Sequence, residues 1–110
     1  MNPKRVAQSI AKILQDKKAE NIVIMSLRRV TDMTHYFVIS TASSEIHSRT
    51  LAKSIKEKVG PPWHQEGYLH AHWILLDYID VVVHIFLNDE REYYGLERIW
   101  GDVPIEKISE

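Results

Sequence analysis

The stretch that most constrains this chain spans residues 72–86, H-W-I-L-L-D-Y-I-D-V-V-V-H-I-F. It holds two apolar runs, residues 73–76 and 81–86, separated by Asp77-Tyr78-Ile79-Asp80. Both runs are rich in β-branched and aromatic residues and too short for helices, so each predicts a strand. An Asp at either end of the connection can bond the backbone of a tight turn. The stretch therefore predicts a β-hairpin at the centre of a sheet. Apolar residues fill successive positions as well as alternate ones, so at least part of the hairpin is covered on both faces.

A chain of 110 residues can build one core of that kind, not two. There is no cysteine, hence no disulfide framework and no thiolate chemistry, which fits a reducing compartment. No apolar run approaches the ~20 residues that cross a bilayer, and no signal-peptide pattern opens the chain. A cytoplasmic protein without membrane contact is the expectation. Charge is nearly balanced overall but unevenly spread, at +6 over residues 1–65 and −7 over residues 66–110. A protein that grips nucleic acid needs a dominant basic surface. Here the organising hairpin lies in the acidic half, which suits a basic protein partner.

Around the hairpin the chain reads as follows. Asn2-Pro3 can cap a helix, and Val6, Ile10, Ile13 and Leu14 continue it at helical spacing over residues 3–17. Residues 22–27 and 36–40 predict strands joined by a polar loop. Ser43 and Ser44 precede a second helix with Leu51, Ala52, Ile55 and Val59 as its buried stripe, stopped at Gly60-Pro61-Pro62. Its Arg49, Lys53, Lys56 and Lys58 form an outer, solvated side. After the hairpin, residues 91–100 predict a short final helix with Tyr94, Leu96 and Ile99 inward. The expectation is an α/β (α+β) domain over residues 1–102, with a mixed sheet of four to five strands packed with two longer helices plus a short C-terminal helix. A helix between the second strand and the hairpin permits one parallel pairing. Residues 103–110 are expected to form a loosely docked tail.

Candidate chemistry is sparse. Asp77 and Asp80 can hold Mg²⁺ or act as acid and base, but turn formation explains them first. Glycine occurs only at 60, 67, 95 and 101, with no phosphate-cradling loop. His70 and His72 at i, i+2 would share one face of a strand, yet without cysteine or a clear third ligand no metal site is expected. His84, between Val83 and Ile85, reads as an interior histidine, since no nucleophile motif accompanies it. No catalytic residue, metal or cofactor is expected. Trp73, Leu75 and Asp77 alternate onto one strand face, with Tyr93, Tyr94 and Trp100 following in the acidic half. Most of these aromatics fit a core, but a face of Trp, Leu and carboxylate also suits a protein-interface hot spot.

These residues carry a resemblance. The block W-x-L-x-D-x-x-D-V-V-V-H over residues 73–84 and the block R-x-x-Y-x-L-E-x-x-W over residues 91–100 resemble the Iojap, or ribosomal silencing factor, family. The strand Tyr36-Phe-Val-Ile39-Ser-Thr41 and the pair Glu66-Gly67 fit it as well. The likeness runs from about residue 4 to 102, with departures at His35, Ala42, His72 and Ile79; the family usually has Gly where Ile79 stands. The resemblance implies a nucleotidyltransferase-like topology without that enzyme class's catalytic signature. It implies a translational repressor that binds the large ribosomal subunit through its universal protein fourteen and blocks association with the small subunit. Little direct RNA contact and a homodimer off the ribosome are implied too. The expected partner-binding residues are Trp73, Leu75, Asp77, Asp80, His84 and Tyr94. The alternative reading is a nucleotidyltransferase-like, Mg-dependent enzyme using Asp77 and Asp80.

Overall fold

In the computed structural model, which describes residues 2–108, helix α1 (Pro3–Asp16) starts where the capping pair places it. The Asn2 side-chain oxygen accepts from the backbone N–H of Lys4 at 2.9 Å, and Pro3 occupies the first helical position, where no N–H is needed. The chain then forms strands β1 (Glu20–Ser26) and β2 (Tyr36–Ala42), an antiparallel pair joined by the loop over residues 27–35. Helix α2 (Glu45–Val59) follows, with Ser44 Oγ accepting from the His47 N–H at 3.0 Å. A short strand β3 (His64–Glu66) leads to β4 (Trp73–Asp77) and β5 (Val81–Leu87), which form the expected hairpin.

The strands assemble in the order β3-β4-β5-β2-β1-β6, where β6 is Ile105–Lys107. Among the described strands only β2 and β5 run parallel, with α2 lying in the connection between them. Two expectations need correction. The sheet has six strands rather than four or five. Residues 105–107, expected in a loose tail, pair with β1 at Met25, Ile24 and Val23. The Ser26 N–H donates to Pro104 and the Ile108 N–H to Ile22, so this segment is stitched along the sheet edge. Its alternating, exposed pattern is that of a polar edge strand, and three residues are too few for period alone to reveal one.

The final helix is also not continuous. Helices α3 (Asn88–Tyr94) and α4 (Leu96–Ile99) are separated at Gly95, whose left-handed φ of 55° ends the first and begins the second. Tyr94 and Ile99, expected inward, are exposed, and only Leu96 of the three is partly buried against the sheet.

The sheet has two unlike faces. On one, α1 and α2 bury Ile10, Leu14, Leu51 and Ile55 against Ile24, Val38, Ile74, Leu76, Val83 and Ile85. Burying each such side chain contributes roughly 1.5–3 kcal/mol, so this layer carries most of the stability. On the other, a smaller cluster of Val23, Met25, Ile39 and Phe86 packs with Phe37, Trp73, Leu96, Trp100 and Val103. Strand β5 is buried on both faces from Val81 to Phe86, as its unbroken apolar run requires. Strand β4 alternates, with Ile74 and Leu76 buried and Trp73, Leu75 and Asp77 half-buried. The second face is therefore roofed on one side and left open beside β4.

Candidate functional site

The open part of the second face is a groove of about 560 Å³. Leu75, Asp77 and His84 of the hairpin line its floor, with Phe37 and Val82 beside them. Its walls come from four separate connections, the hairpin tip at Ile79 among them. Leu27, Met33 and Thr34 belong to the β1–β2 loop, Trp63 precedes β3, and Trp100 ends α4. Met33 is 86% exposed and Trp63 74%, and Ile79 at the hairpin tip is exposed as well. Large apolar side chains crowded around one open groove are unusual for an isolated surface and characteristic of an interaction site.

Trp73 and Tyr94 extend the apolar surface beyond the groove. The Trp73 ring lies 4.8 Å from Phe86 and 4.8 Å from Tyr94, and Tyr93 packs edge-on against Tyr94 at 5.1 Å. Tyr93 and Tyr94 stay exposed. The Trp73 indole donates to His84 Nδ1 at 3.1 Å, which orients the tryptophan along the face. Helix α3 is held to the sheet by Arg91. Its guanidinium donates to Glu97 at 2.8 Å, to the Asn21 carbonyl at 2.7 Å and to Thr41 Oγ1 at 2.8 Å. Arg91 thus positions Tyr94 and Trp100, a role that residue spacing did not reveal.

His84 is buried at the floor, and loss of hydration pushes its pKa down to about 3. The ring is neutral at ordinary pH. Neighbouring rings enclose it, with Phe37 edge-on at 4.5 Å and Phe86 stacked at 6.2 Å.

The two aspartates behave as turn residues. Asp77 Oδ1 accepts from the Ile79 N–H at 2.7 Å. The Asp80 carbonyl accepts from the N–H groups of His35 and Tyr36, tying the hairpin tip to the start of β2. Asp77 lines the groove, whereas the exposed Asp80 does not. Of the six expected partner-binding residues, Leu75, Asp77 and His84 meet in the groove, Trp73 and Tyr94 stack on its flank, and Asp80 stands apart. Sequence reading missed Met33, Thr34 and Trp63. For Met33 and Trp63, large apolar residues inside otherwise polar connections were the available signal; Thr34 offered none.

The histidine pair requires correction. His70 and His72 lie in the connection before β4, not on a strand face. His72 is held through both ring nitrogens, Nε2 to Glu45 at 2.9 Å and Nδ1 to Glu90 at 3.0 Å. The carboxylates sit on opposite ring nitrogens and cannot converge on one ion. Hydrogen bonds from both raise the His72 pKa, and the bond to His72 lowers that of Glu45. The trio links the starts of α2 and α3. No group of three or more His, Cys, Asp or Glu able to hold a metal occurs among the described residues, and none of their helices is long and apolar enough to cross a membrane.

Comparison with known proteins agrees with the overall fold. The structure superposes on a solved protein of Chromobacterium violaceum with a TM-score of 0.86, at 27% identity, over 99% of this chain and 92% of that one. Ribosomal silencing factor RsfS of Bacillus subtilis is 37% identical over 99% of this chain and 96% of its own length. The mouse protein named mitochondrial assembly of ribosomal large subunit protein 1 is 26% identical over 83% of this chain, which spans 43% of that relative. The family described as ribosomal silencing factor during starvation matches residues 1–110 from end to end. With Trp73 of the first motif block and Leu96 and Trp100 of the second packed on one face of the sheet and the whole length matched, the chain belongs to the ribosomal silencing factor family.

Proposed function

We propose that this protein represses translation by docking its second sheet face on the large ribosomal subunit and blocking association with the small subunit. The observation that carries the reading is the continuous, half-exposed surface of Trp73, Leu75 and Asp77 between the groove and Tyr94. A ring of that size covers a large apolar area when a partner lands on it, and a neighbouring carboxylate can pair with a Lys or Arg. The acidic balance of residues 66–110 favours a basic protein partner, and the resemblance points to universal protein fourteen of the large subunit. A second copy of the chain covers the same face when no ribosome is present, giving a homodimer. The protein works in the cytoplasm, by occupancy and without catalysis. The Asp77 bond to the turn backbone supports a turn-forming role rather than that of a metal-holding acid pair.

The test is co-sedimentation with purified large subunits at rising salt, followed by a subunit-joining assay. The expected result is binding together with a lower yield of joined ribosomes. Unchanged joining at several-fold excess of protein refutes the reading. Nucleoside triphosphate turnover that disappears in both Asp77→Asn and Asp80→Asn would put the enzyme reading in its place.

A further inference from the structure

Two polar side chains are sunk in the wall of the groove with hydrogen-bonding capacity unused. His84 is 4% exposed and Thr34 5%, and both line the groove. An indole N–H can only donate, so the 3.1 Å bond from Trp73 makes His84 Nδ1 an acceptor. The proton of the neutral ring therefore sits on Nε2. That Nε2–H has no acceptor, and Thr34 Oγ1 has no partner either. A buried donor without an acceptor destabilises the free protein, and native structures keep few of them. Five such side-chain atoms occur among the described residues, and these two share the wall of one open groove.

The chemistry of the walls narrows the occupant. A purely apolar plug would satisfy Trp63, Phe37 and Trp100 but leave both polar groups unpaired. A charged group would meet a mostly apolar lining. What fits is a segment that brings an oxygen acceptor directly beside an apolar side chain, as every extended peptide does. Asp77 at the same groove favours a Lys or Arg next in that segment.

We propose that the groove takes an extended peptide segment of the docking partner. Its apolar side chain fills the space bounded by Trp63 and Trp100, and its backbone carbonyl accepts from His84 Nε2–H, with Thr34 Oγ1 donating to the same segment. The proposal rests on the ribosome-docking reading and specifies the atoms that recognise the partner. Both polar atoms are out of contact with bulk water, so the bond forms as the occupant parts the rings around His84. The unpaired donors then act as a selectivity device, because an occupant lacking acceptors gains nothing from them.

Three variants of the full chain test this, each measured by thermal unfolding and by pelleting with purified large subunits. Thr34→Val and His84→Leu remove the unpaired groups while keeping similar bulk, and the Trp73 indole, half-buried, can turn to water. Both are expected to melt at or above the parent temperature yet to bind about tenfold more weakly. His84→Gln keeps an acceptor for Trp73 and a donor for the groove, and is expected to bind within about threefold of the parent. If the parent pellets and His84→Leu pellets equally well, this inference fails while the docking reading stands. If Thr34→Val and His84→Leu both melt well below the parent, the groups are structural and the inference fails likewise. If the parent itself does not pellet, the docking reading fails first and takes this inference with it.

Discussion

Acidification should destabilise this protein through His84, and the size of the effect follows from its burial. The imidazole titrates near 6.5 in an unfolded chain, but burial holds it at about 3 in the fold. Between those values the unfolded chain binds a proton that the native state refuses. Stability is therefore fully present above pH 6.5 and falls as pH drops below it, by about 1.4 kcal/mol per unit. From pH 7.5 to 5.0 the loss amounts to about 2 kcal/mol. For a chain of 110 residues, with roughly 2.1 cal/mol/K of unfolding entropy per residue, that lowers Tm by about 9 °C. His72 acts in the opposite sense. Its raised pKa contributes stability that is present below 6.5 and lost as pH rises through the folded value. That histidine is exposed to solvent, so screening keeps its effect small. Comparing the parent with His84→Gln isolates the buried ring, since His72 and the carboxylates are common to both. Calorimetry at pH 7.5 and 5.0 should show the parent losing about 9 °C more than the variant. Equal losses in the two proteins would refute the claim that His84 is buried in its neutral form.

The structure supports three further expectations. Trp73→Ala should weaken large-subunit binding ~30-fold or more, and its packing on Phe86 and Tyr94 means about 2–3 kcal/mol of stability goes with it; Asp77→Ala should cost less in both, and parent-like pelleting by both variants would rule out this face as the docking surface. Ile79→Gly should stabilise the fold by about 1 kcal/mol, because a β-branched residue is held there at a φ of 72°; the same change removes an apolar rim side chain and should weaken docking, so a lower Tm would contradict the strain. Gly67→Ala should fail to fold or lose several kcal/mol, since the added Cβ would collide with the Trp73 carbonyl oxygen on a backbone with a φ of 82°; a parent-like melt would show that the 67–73 connection can shift.

Local patterning carried much of the fold. The Asn2-Pro3 cap, the stripe of Leu51, Ala52 and Ile55, and the double-faced run from Val81 to Phe86 each follow from neighbours a few residues away. Capping, periodicity and turn chemistry are short-range effects, so they are written in order along the chain. The alternation of Trp73, Leu75 and Asp77 onto one face belongs with them. Strand β6 and the break at Gly95 were less legible. A three-residue edge strand exists because β1 offers an open edge, and nothing within residues 105–107 announces that partner.

The groove itself came only from tertiary structure. Met33, Trp63, Ile79 and Trp100 lie in four different connections, the first three exposed and Trp100 half-buried, and none alone marks a groove. The sheet order brings them together around the open side of β4 and β5. The same holds for His84, whose type and strand position were plain. Its tautomer depends on the Trp73 indole one strand away, its low pKa on the rings that enclose it, and its unpaired Nε2–H on what those rings exclude. Desolvation and hydrogen-bond satisfaction are properties of an assembled environment, with contributions from groups far apart along the chain. The amino-acid order determined the longer strands and which face each of their side chains takes, and only the folded sheet decided where the edge strand pairs and which residues share a groove.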